Sequence, residues 1–282
     1  MEWQKEMLNQ DTLFLEGGIY RQRGREIAKG AYDEFQHEDV FRLEDESWWF
    51  KSRNNVIEAG LRAFPLPNNL IVDVGAGNGI VSAHLEKAGI KTILFEPGYC
   101  GIRNAKNRGL KSLVCAPFDD TTIKGNSVPA VGLFDVLEHV EDEGGFLKNI
   151  WNGLADGGLL YVTVPAHETL WSHEDELVNH YRRYNEKSLN KTMRNNGFNV
   201  LFGSYFFRFL SPLIFTFRTL PYRLNPNKRR EQFKKAQIAP SGMLGKAASA
   251  YFASEAKRIA SRKSMSHGAS IFMVCQKKES RW

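Results

Sequence analysis

Cysteine is scarce in this sequence of 282 residues, which contains three: Cys100, Cys115 and Cys275. None of them forms a C-x-x-C pair, and three cannot all pair within one chain. This usage is typical of a reduced compartment and predicts a cytoplasmic protein. The N-terminal residues mix acids with bases and contain no apolar core, so they do not indicate a secretory signal.

Long uninterrupted apolar segments are also missing. An aromatic-rich apolar stretch over residues 205–220 contains two arginines and a proline, and it is too short and too charged for a comfortable transmembrane helix. Hydrophobic residues make up 42% and charged residues 25% of the chain, so a packed core is expected and wholesale disorder is not. The length suits one large α/β domain with appendages.

Acidic residues are nearly absent from one segment. Between Arg218 and Lys235 there are seven basic residues and one acid, and this difference equals the net charge of +6 of the whole chain. Such a tract could meet nucleic acid, phosphate or an anionic membrane surface, and it could equally be a solvated face. We find no motif for base amino groups and no recognisable RNA-binding module, which argues against nucleic acid as the partner.

Strand-like and helical patterns alternate from residue 70 onward. Apolar runs rich in β-branched and aromatic residues lie at 70–74, 91–97, 110–116, 129–137, 159–165, 198–207 and 269–278. This alternation predicts βαβ crossovers and a mostly parallel sheet of seven strands, buried on both faces. About sixty residues separate the last two strands, which is too long for a plain loop and predicts a helical insertion. Residues 1 to about 45 have the pattern of polar helices.

The sharpest motif is the glycine-rich turn between the first strand and the following helix, Asp73-Val-Gly75-Ala-Gly77-Asn-Gly79. Its glycines let the backbone approach a ligand closely, and the helix directs its N-terminal N–H groups toward that ligand. Dinucleotide enzymes share such a turn, but here Ile80 fills the position where their fingerprint has a small residue. Glu96, at the end of the second strand, could accept hydrogen bonds from both hydroxyls of a ribose.

With these features in order, residues 45–200 resemble the class I S-adenosylmethionine-dependent methyltransferases, and the strand near 270–278 extends the resemblance. The matching motifs are VDVGAGNG, FEP, APFDD, LFDVLEHVED and LADGGLLYVTVP. The fourth-strand motif is similar to that of the small-molecule branch, which includes ubiquinone-biosynthesis methyltransferases. The resemblance implies a Rossmann-like α/β fold with an antiparallel last strand, and S-adenosylmethionine as the cofactor.

The resemblance also implies which residues bind this cofactor. The glycine turn would hold the methionine part, Glu96 the ribose, and Asp119 the adenine amino group, with Phe118 beside it. A WWF-x-x-R helix, here with Trp49 and Arg53, would cover the cofactor; ordinary packing against the sheet is the alternative. The complete predicted set is Trp49, Arg53, Asp73, Gly75, Ala76, Gly77, Asn78, Gly79, Glu96, Pro97, Phe118, Asp119, Phe134 and Asp135.

His139 and His180 are the candidate catalytic residues. His139 lies just past the fourth strand, where it could act as a base, position the acceptor or serve a structural role, whereas Glu138 is expected to support a loop. The two histidines lie far apart in sequence, no metal-ligand spacing is evident, and transfer of a methyl group from a sulfonium requires no metal. We therefore predict no metal site.

The segment after the fifth strand, residues 167–189, is dense in groups that can bond and stack. It is predicted to form the acceptor wall, where two arginines could bind phosphate or carboxylate. The predicted substrate-binding residues are Trp171, Asp175, Arg182, Arg183 and Tyr184. The alternative is an ion-paired surface loop that orders the next helix.

Together these features predict methyl transfer from S-adenosylmethionine to a small-molecule, sugar or lipid-linked acceptor, with O-methylation favoured and N- and C-methylation left open. The rival hypotheses are a non-catalytic cofactor-binding subunit and a dinucleotide-dependent oxidoreductase. The chain would divide into a helical cap (1–66), a cofactor-binding domain (67–203 and 268–282) and a helical insertion (204–267). The insertion could be a lid over the acceptor, a dimer interface or a membrane contact, and the oligomeric state is left open.

Overall fold

A computed structural model describes residues 2–24, 41–225 and 242–278. Within these ranges a single sheet contains nine strands, and helices flank it. The strands are β1 (Leu13–Glu16), β2 (Ile19–Gln22), β3 (Leu70–Val74), β4 (Lys91–Phe95), β5 (Leu113–Cys115), β6 (Val128–Phe134), β7 (Leu154–Pro165), β8 (Phe198–Phe206) and β9 (Ser270–Lys277). The helices are α1 (Glu2–Met7), α2 (41–46), α3 (Trp48–Ala63), α4 (Ile80–Lys87), α5 (Tyr99–Asn107), α6 (Glu143–Gly153), α7 (His173–Leu177), α8 (Glu186–Asn195), α9 (Leu210–Ile214), α10 (Leu220–Leu224) and α11 (Gly242–Ala260).

The strand order is β1-β2-β5-β4-β3-β6-β7-β9-β8. Neighbouring strands from β2 to β7 pair in parallel, whereas β9 is antiparallel to both β7 and β8. This topology confirms the predicted α/β fold with a mostly parallel sheet and an antiparallel last strand. The antiparallel β9 is also the feature that counted against a dinucleotide-dependent oxidoreductase.

The predicted number of seven strands is wrong, because an N-terminal hairpin adds two. Strands β1 and β2 pair in antiparallel fashion around Gly17 and Gly18, whose φ angles of 57° and 82° suit a two-residue hairpin turn. Strand β2 then pairs with the edge strand β5. Residues 13–22 were therefore misread as helical, since the strands are short and only Leu13 and Ile19 are buried. Residues 25–40 of the predicted cap lie outside the described residues.

Alternate residues of the central strand β3 enter different layers of the core. Val72 packs in a cluster with α6 and α8, whereas Ile71 packs in a cluster with α3, α4 and α11. This alternation is that of a strand covered on both faces. The two layers of helices hold the carboxyl ends of the parallel strands in a fixed arrangement, which is where the candidate site lies.

One strand begins earlier than the sequence predicts. Strand β7 starts at Leu154, directly after α6, and not at Leu159. Leu154 already pairs with Val128 of β6, and an irregularity in register follows before the regular pairing from Ala130. Leu154 thus belongs to the strand because it pairs with β6, while residues 155–158, whose composition is typical of a turn, form the irregularity before the pairing resumes at Leu159.

The insertion between β8 and β9 is helical where it is described. A π-helix, Phe215–Thr219, joins α9 to α10, and α11 packs along α3. The basic residues Lys228, Arg229, Arg230, Lys234 and Lys235 lie outside the described residues. Among the helices of the described ranges, none has the length and apolar character needed to span a membrane.

The contact between α3 and β9 gives a first testable prediction. Gly60 of α3 is buried, and a Cβ atom added there would overlap the ring of Phe272 in β9. In an exposed helix, Gly→Ala would raise the free energy of unfolding by about 1 kcal/mol. At Gly60 we expect the clash with Phe272 to outweigh this gain in helix propensity. We expect the free energy of unfolding, measured in urea, to fall by about 1–3 kcal/mol.

The control is Asn55→Ala, at an exposed position of the same helix, which should change the stability by no more than about 0.5 kcal/mol. A Gly60→Ala variant as stable as the wild type would contradict the close α3–β9 packing.

Candidate functional site

The glycine turn after β3 has the left-handed backbone that its sequence requires. Gly75, Gly77 and Gly79 have φ angles of 71°, 53° and 73°. A Cβ atom on Gly79 would come within 2.8 Å of Ala105 in α5, so this glycine permits close packing. A Cβ atom on Gly77 would meet nothing within 4 Å. Gly77 therefore leaves open the side from which a ligand would approach the turn.

Two buried carboxylates fasten the turn. Asp73 accepts a hydrogen bond from Ser82 Oγ at 2.7 Å, which ties the end of β3 to α4. Burial raises the pKa of Asp73 to about 6. Glu96 accepts from the backbone N–H groups of Gly77, at 3.0 Å, and Gly98, at 2.7 Å. Burial also raises the pKa of Glu96.

A cavity of about 530 Å³ extends from this turn to the segment after β7. Most of the predicted site residues line it. From the cofactor set these are Trp49, Arg53, Asp73, Gly75, Ala76, Gly77, Asn78, Phe134 and Asp135. From the catalytic and substrate sets these are His139, His180, Asp175 and Arg183. The structure therefore brings the predicted cofactor and acceptor sides into one continuous space.

Five of the predicted cofactor residues do not line this cavity. They are Gly79, Glu96, Pro97, Phe118 and Asp119. Phe118 is only 3% exposed and packs against Phe95, while Asp119 accepts a hydrogen bond from the backbone N–H of Thr121 at 3.0 Å. Phe118 is part of the hydrophobic core. That Glu96 binds the ribose and Asp119 the adenine stays a prediction.

Arg53 links the helix that precedes β3 to the loop that follows β6. Its guanidinium donates to Asp135 Oδ2 at 2.5 Å and lies 5.1 Å from the ring centroid of Trp49. Asp135 has a φ of 58° and also accepts from Thr163 Oγ1 at 3.0 Å. The Nε atom of Arg53 is buried and has no hydrogen-bond partner within the described part of the chain. This donor suits a ligand carboxylate, such as that of the methionine part of the cofactor.

The two predicted catalytic histidines meet at the other end of the cavity. The ring centroids of His139 and His180 lie 4.6 Å apart. His180 Nδ1 is 2.8 Å from Asp175 Oδ1, and because a carboxylate accepts, Nδ1 is the donor. His180 Nε2 lies 4.0 Å from Glu138 Oε1. The Glu138 carbonyl accepts from the Tyr181 backbone N–H at 2.8 Å, whereas its Oε2 atom is buried without a hydrogen-bond partner in the described ranges.

Burial and hydrogen bonding shift the pKa values of Glu138, His139 and Asp175 at this end of the cavity. Burial, together with the nearby charge of Asp135, raises the pKa of Glu138 well above its ordinary value. Burial, with a contribution from His180, lowers the pKa of His139 to about 4. Burial also acts to raise the pKa of Asp175, but hydrogen bonds from His180 and Arg183 outweigh it and lower that pKa. His139 is therefore neutral near pH 7, burial favours the protonated form of Glu138, and Asp175 is held as an anion.

The same group includes three potential metal ligands. One ligand atom from each of Glu138, His139 and His180 lies within 4.8 Å of the others. A carboxylate and two imidazoles form a donor set that a divalent cation could use. The sequence prediction of no metal site missed this arrangement, because His180 reaches it from a different loop.

The remaining predicted acceptor residues mainly hold the segment in place. Arg183 pairs with Asp175 through Nε at 2.7 Å and Nη2 at 3.1 Å, and it also donates to the Ala166 carbonyl. Arg182 donates to the Glu141 carbonyl, and the buried Tyr184 donates to Glu143. Trp171, Arg182 and Tyr184 do not line the cavity. These contacts are those of the alternative, an ion-paired segment that orders the following helix.

Sequence reasoning missed the residues that fasten α2 over the glycine turn. Arg108 donates to Glu44 Oε2 at 2.8 Å, to Asp45 Oδ1 at 2.5 Å and to the Asn78 carbonyl at 3.0 Å. Glu44 lines the cavity, and burial, opposed by Arg108, raises its pKa to about 7. No local pattern signals this network, because Arg108 lies 64 residues from Glu44, 63 from Asp45 and 30 from Asn78.

The insertion also contributes to the cavity. Its lining residues are Leu210, Leu213, Ile214, Phe217 and Arg218. Thr219, which is buried, donates to the Leu170 carbonyl at 3.0 Å and anchors the π-helix to the segment after β7. This placement is the one expected of a lid over the acceptor.

Comparison with known proteins identifies the family. A sequence model described as a methyltransferase domain matches residues 35–201, which is more than half of the chain. The chain belongs to this methyltransferase family. Membership confirms the predicted class of enzyme and S-adenosylmethionine as its cofactor. The methionine part of that cofactor fits two features at the glycine turn. Gly77 leaves open space for its close approach, and the unpartnered Arg53 Nε could donate to its carboxylate.

Curated relatives of this methyltransferase match only part of it. Ubiquinone biosynthesis O-methyltransferases are 28% identical in a Methylobacterium species and 30% identical in Methylocella silvestris, each over 103 residues. The matches cover 35% of this chain and 41% and 40% of the relatives. The matched part thus spans about two fifths of the length of these relatives.

Solved structures share the fold of this methyltransferase at low sequence identity. A SAM-dependent methyltransferase from Thermotoga maritima is 18% identical with a TM-score of 0.51, covering 86% of this chain and 96% of that one. The [4+2]-cyclase SpnF is 17% identical with a TM-score of 0.51, covering 82% and 84%. These similarities show the fold alone, and the second one shows that the fold also occurs in a protein named for a different reaction.

The open side of Gly77 gives the prediction for cofactor binding. Gly77→Val places a branched side chain where the ligand approaches and strains a backbone with φ of 53°. We expect the affinity for S-adenosylmethionine, measured by isothermal titration calorimetry, to fall at least about a hundredfold.

The matched control is Gly89→Val. Gly89 also has a positive φ, 83°, and open space at its Cβ position, but it does not line the cavity. This variant carries similar backbone strain and should bind the cofactor as the wild type does. Equal binding by Gly77→Val and the wild type would overturn the assignment of the site.

Proposed function

We propose that this methyltransferase transfers the methyl group of S-adenosylmethionine to a hydroxyl group of an apolar small molecule. The observation that carries the proposal is the single cavity that joins the glycine turn to the Asp175–His180 pair. The cofactor supplies a methyl group that is already electrophilic. The protein must then hold the acceptor in line with it, exclude water and remove the hydroxyl proton.

The cofactor would occupy the half of the cavity next to β3. The turn from Gly75 to Asn78 would hold its methionine part, and Arg53 would bind the carboxylate. The rings of Trp49 and Phe50 line the cavity 5.1 and 5.2 Å from the Arg53 guanidinium, and Trp48 lines it as well. Such rings can attract the sulfonium charge and exclude water. Asp135 orients Arg53 and thereby positions the cofactor.

His180 is the general base in this proposal. Its Nδ1–H donates to Asp175, so Nε2 is free of a proton and can accept one from the acceptor hydroxyl. The Asp175 anion, itself held by Arg183, then stabilises the imidazolium that forms. His139 is a weaker base, because its pKa of about 4 keeps its affinity for a proton low. The structure therefore favours His180 over His139 for this step.

The walls around this polar group support an apolar acceptor. Leu210, Leu213, Ile214 and Phe217 of the insertion, with Val178 after α7, line the acceptor half. Such a pocket binds an apolar body by burial and orients it with a few polar groups. The names of the curated relatives, O-methyltransferases of ubiquinone biosynthesis, support the same acceptor class and O-methylation.

The role of His180 is tested by His180→Gln. We expect kcat for labelled methyl transfer into an organic extract of cells to fall about a hundredfold to ten-thousandfold, because the base is lost. The affinity for S-adenosylmethionine should stay unchanged, because His180 lies at the acceptor end of the cavity. Calorimetry and initial rates separate the two effects.

His84→Gln is the control, since His84 also pairs with a carboxylate, Glu58 at 2.9 Å, but does not line the cavity. It should retain wild-type turnover. A His180→Gln variant that turns over at the wild-type rate would refute the proposed base.

Removal of divalent cations tests whether the histidine acts without a metal. The chemistry of the sulfonium requires none, so we expect turnover to survive dialysis against EDTA. Loss of turnover that Mg²⁺ or Zn²⁺ restores would instead assign Glu138, His139 and His180 as cation ligands, and it would contradict the role of His180 as a base.

A further inference from the structure

Large apolar side chains of the insertion face solvent along one stripe. Between Phe209 and Leu224, a continuous helical segment formed by α9, the π-helix and α10, exposed side chains recur every three or four residues. They are Phe209, Leu213, Phe217, Leu220 and Leu224, with exposures between 37% and 77%. This spacing places them on one side of the helix. A helix on a globular protein normally turns such a side toward the core.

One further side chain widens the stripe into a patch. Tyr251 is 39% exposed, and its ring on α11 lies 6.2 Å from that of Phe209. We call these six residues the apolar rim: Phe209, Leu213, Phe217, Leu220, Leu224 and Tyr251. A contiguous exposed apolar patch of this kind marks a surface that another apolar phase covers.

The apolar rim continues into the cavity. Leu213 and Phe217 are 37% and 64% exposed, and both also line the cavity. Leu210 and Ile214, on the same helical segment, line it as well. The rim and the apolar lining of the acceptor half therefore share side chains on one helical segment.

Basic residues accompany the rim along the sequence. Residues 208–235 contain eight basic side chains and one acid. Arg208 directly precedes the helical segment and Arg218 and Arg223 lie within it, whereas the other five belong to residues outside the described ranges. A second copy of the chain would bring two such basic surfaces together, which is unfavourable. A surface of anionic lipid headgroups complements the charge.

We propose that the apolar rim docks on the surface of an anionic lipid bilayer. An apolar stripe flanked by basic residues is the arrangement of a helix that lies in a membrane interface. We further infer that the acceptor is an amphiphile with a hydroxyl-bearing head and an apolar tail, which enters the cavity from the bilayer past Leu213 and Phe217. This second statement rests on the proposed function, whereas the docking does not.

Flotation of the full chain with vesicles tests the docking. One vesicle is pure phosphatidylcholine and the other contains roughly a third phosphatidylglycerol. We expect flotation with the anionic vesicle alone, and its loss at high salt. The triple variant Phe209→Ser, Leu220→Ser, Leu224→Ser should lower the partition constant about tenfold or more.

The matched control is Leu15→Ser with Leu201→Ser, which removes two leucines that are 60% and 41% exposed on other surfaces. It should float as the wild type does. None of the residues changed in either variant lines the cavity, so both should bind S-adenosylmethionine with wild-type affinity. That binding shows that each variant is folded.

Three results would overturn the docking: no flotation, equal flotation with both vesicles, or undiminished flotation of the triple variant. A wild-type dimer in light scattering that becomes a monomer in the triple variant would also overturn the docking, because a second copy of the chain would then cover the rim. Flotation without methyl transfer to any extract would contradict the proposed function and leave the docking standing. Methyl transfer to a soluble acceptor without flotation would overturn the docking and leave methyl transfer by this chain standing.

Discussion

The site depends on the place of β3 between β4 and β6. After β3 the chain crosses to β4 on one side of it, and after β6 it crosses to β7 on the other side. A crevice therefore opens where the carboxyl ends of the neighbouring strands β3 and β6 meet. The glycine turn follows β3 and Asp135 follows β6, which puts both on this crevice. The Arg53–Asp135 pair then closes the crevice from the side of α3. Without this strand order the cofactor residues and the acceptor residues would not share one cavity.

The sequence was sufficient for the central part of the fold, because each parallel strand is a short apolar run that ends at a turn. The glycine turn was recognised because left-handed backbone and close approach leave few residues that fit. The hairpin of β1 and β2 was missed because its strands are four residues long and mostly half-exposed. Its Gly17-Gly18 turn was the available signal.

The candidate site was only partly predictable. His139 and His180 were named separately, but their contact depends on the path of the chain around α7, where the Tyr181 backbone N–H donates to the Glu138 carbonyl. Arg182 and Tyr184 were expected to meet a ligand and instead bond to the protein. A polar residue has the same sequence pattern whether its partner is a substrate or a neighbouring loop, so only the tertiary structure separates the two.

The cavity combines a polar floor with an apolar lid, and this combination defines the acceptor that the account expects. The measurement that tests it most directly is transfer of labelled methyl from S-adenosylmethionine into a cell lysate, separated into aqueous, organic, protein and nucleic-acid fractions. The account predicts label in the organic fraction with the wild type and its loss with His180→Gln. Label confined to protein or nucleic acid, or no label in any fraction from a chain that binds the cofactor, would contradict it.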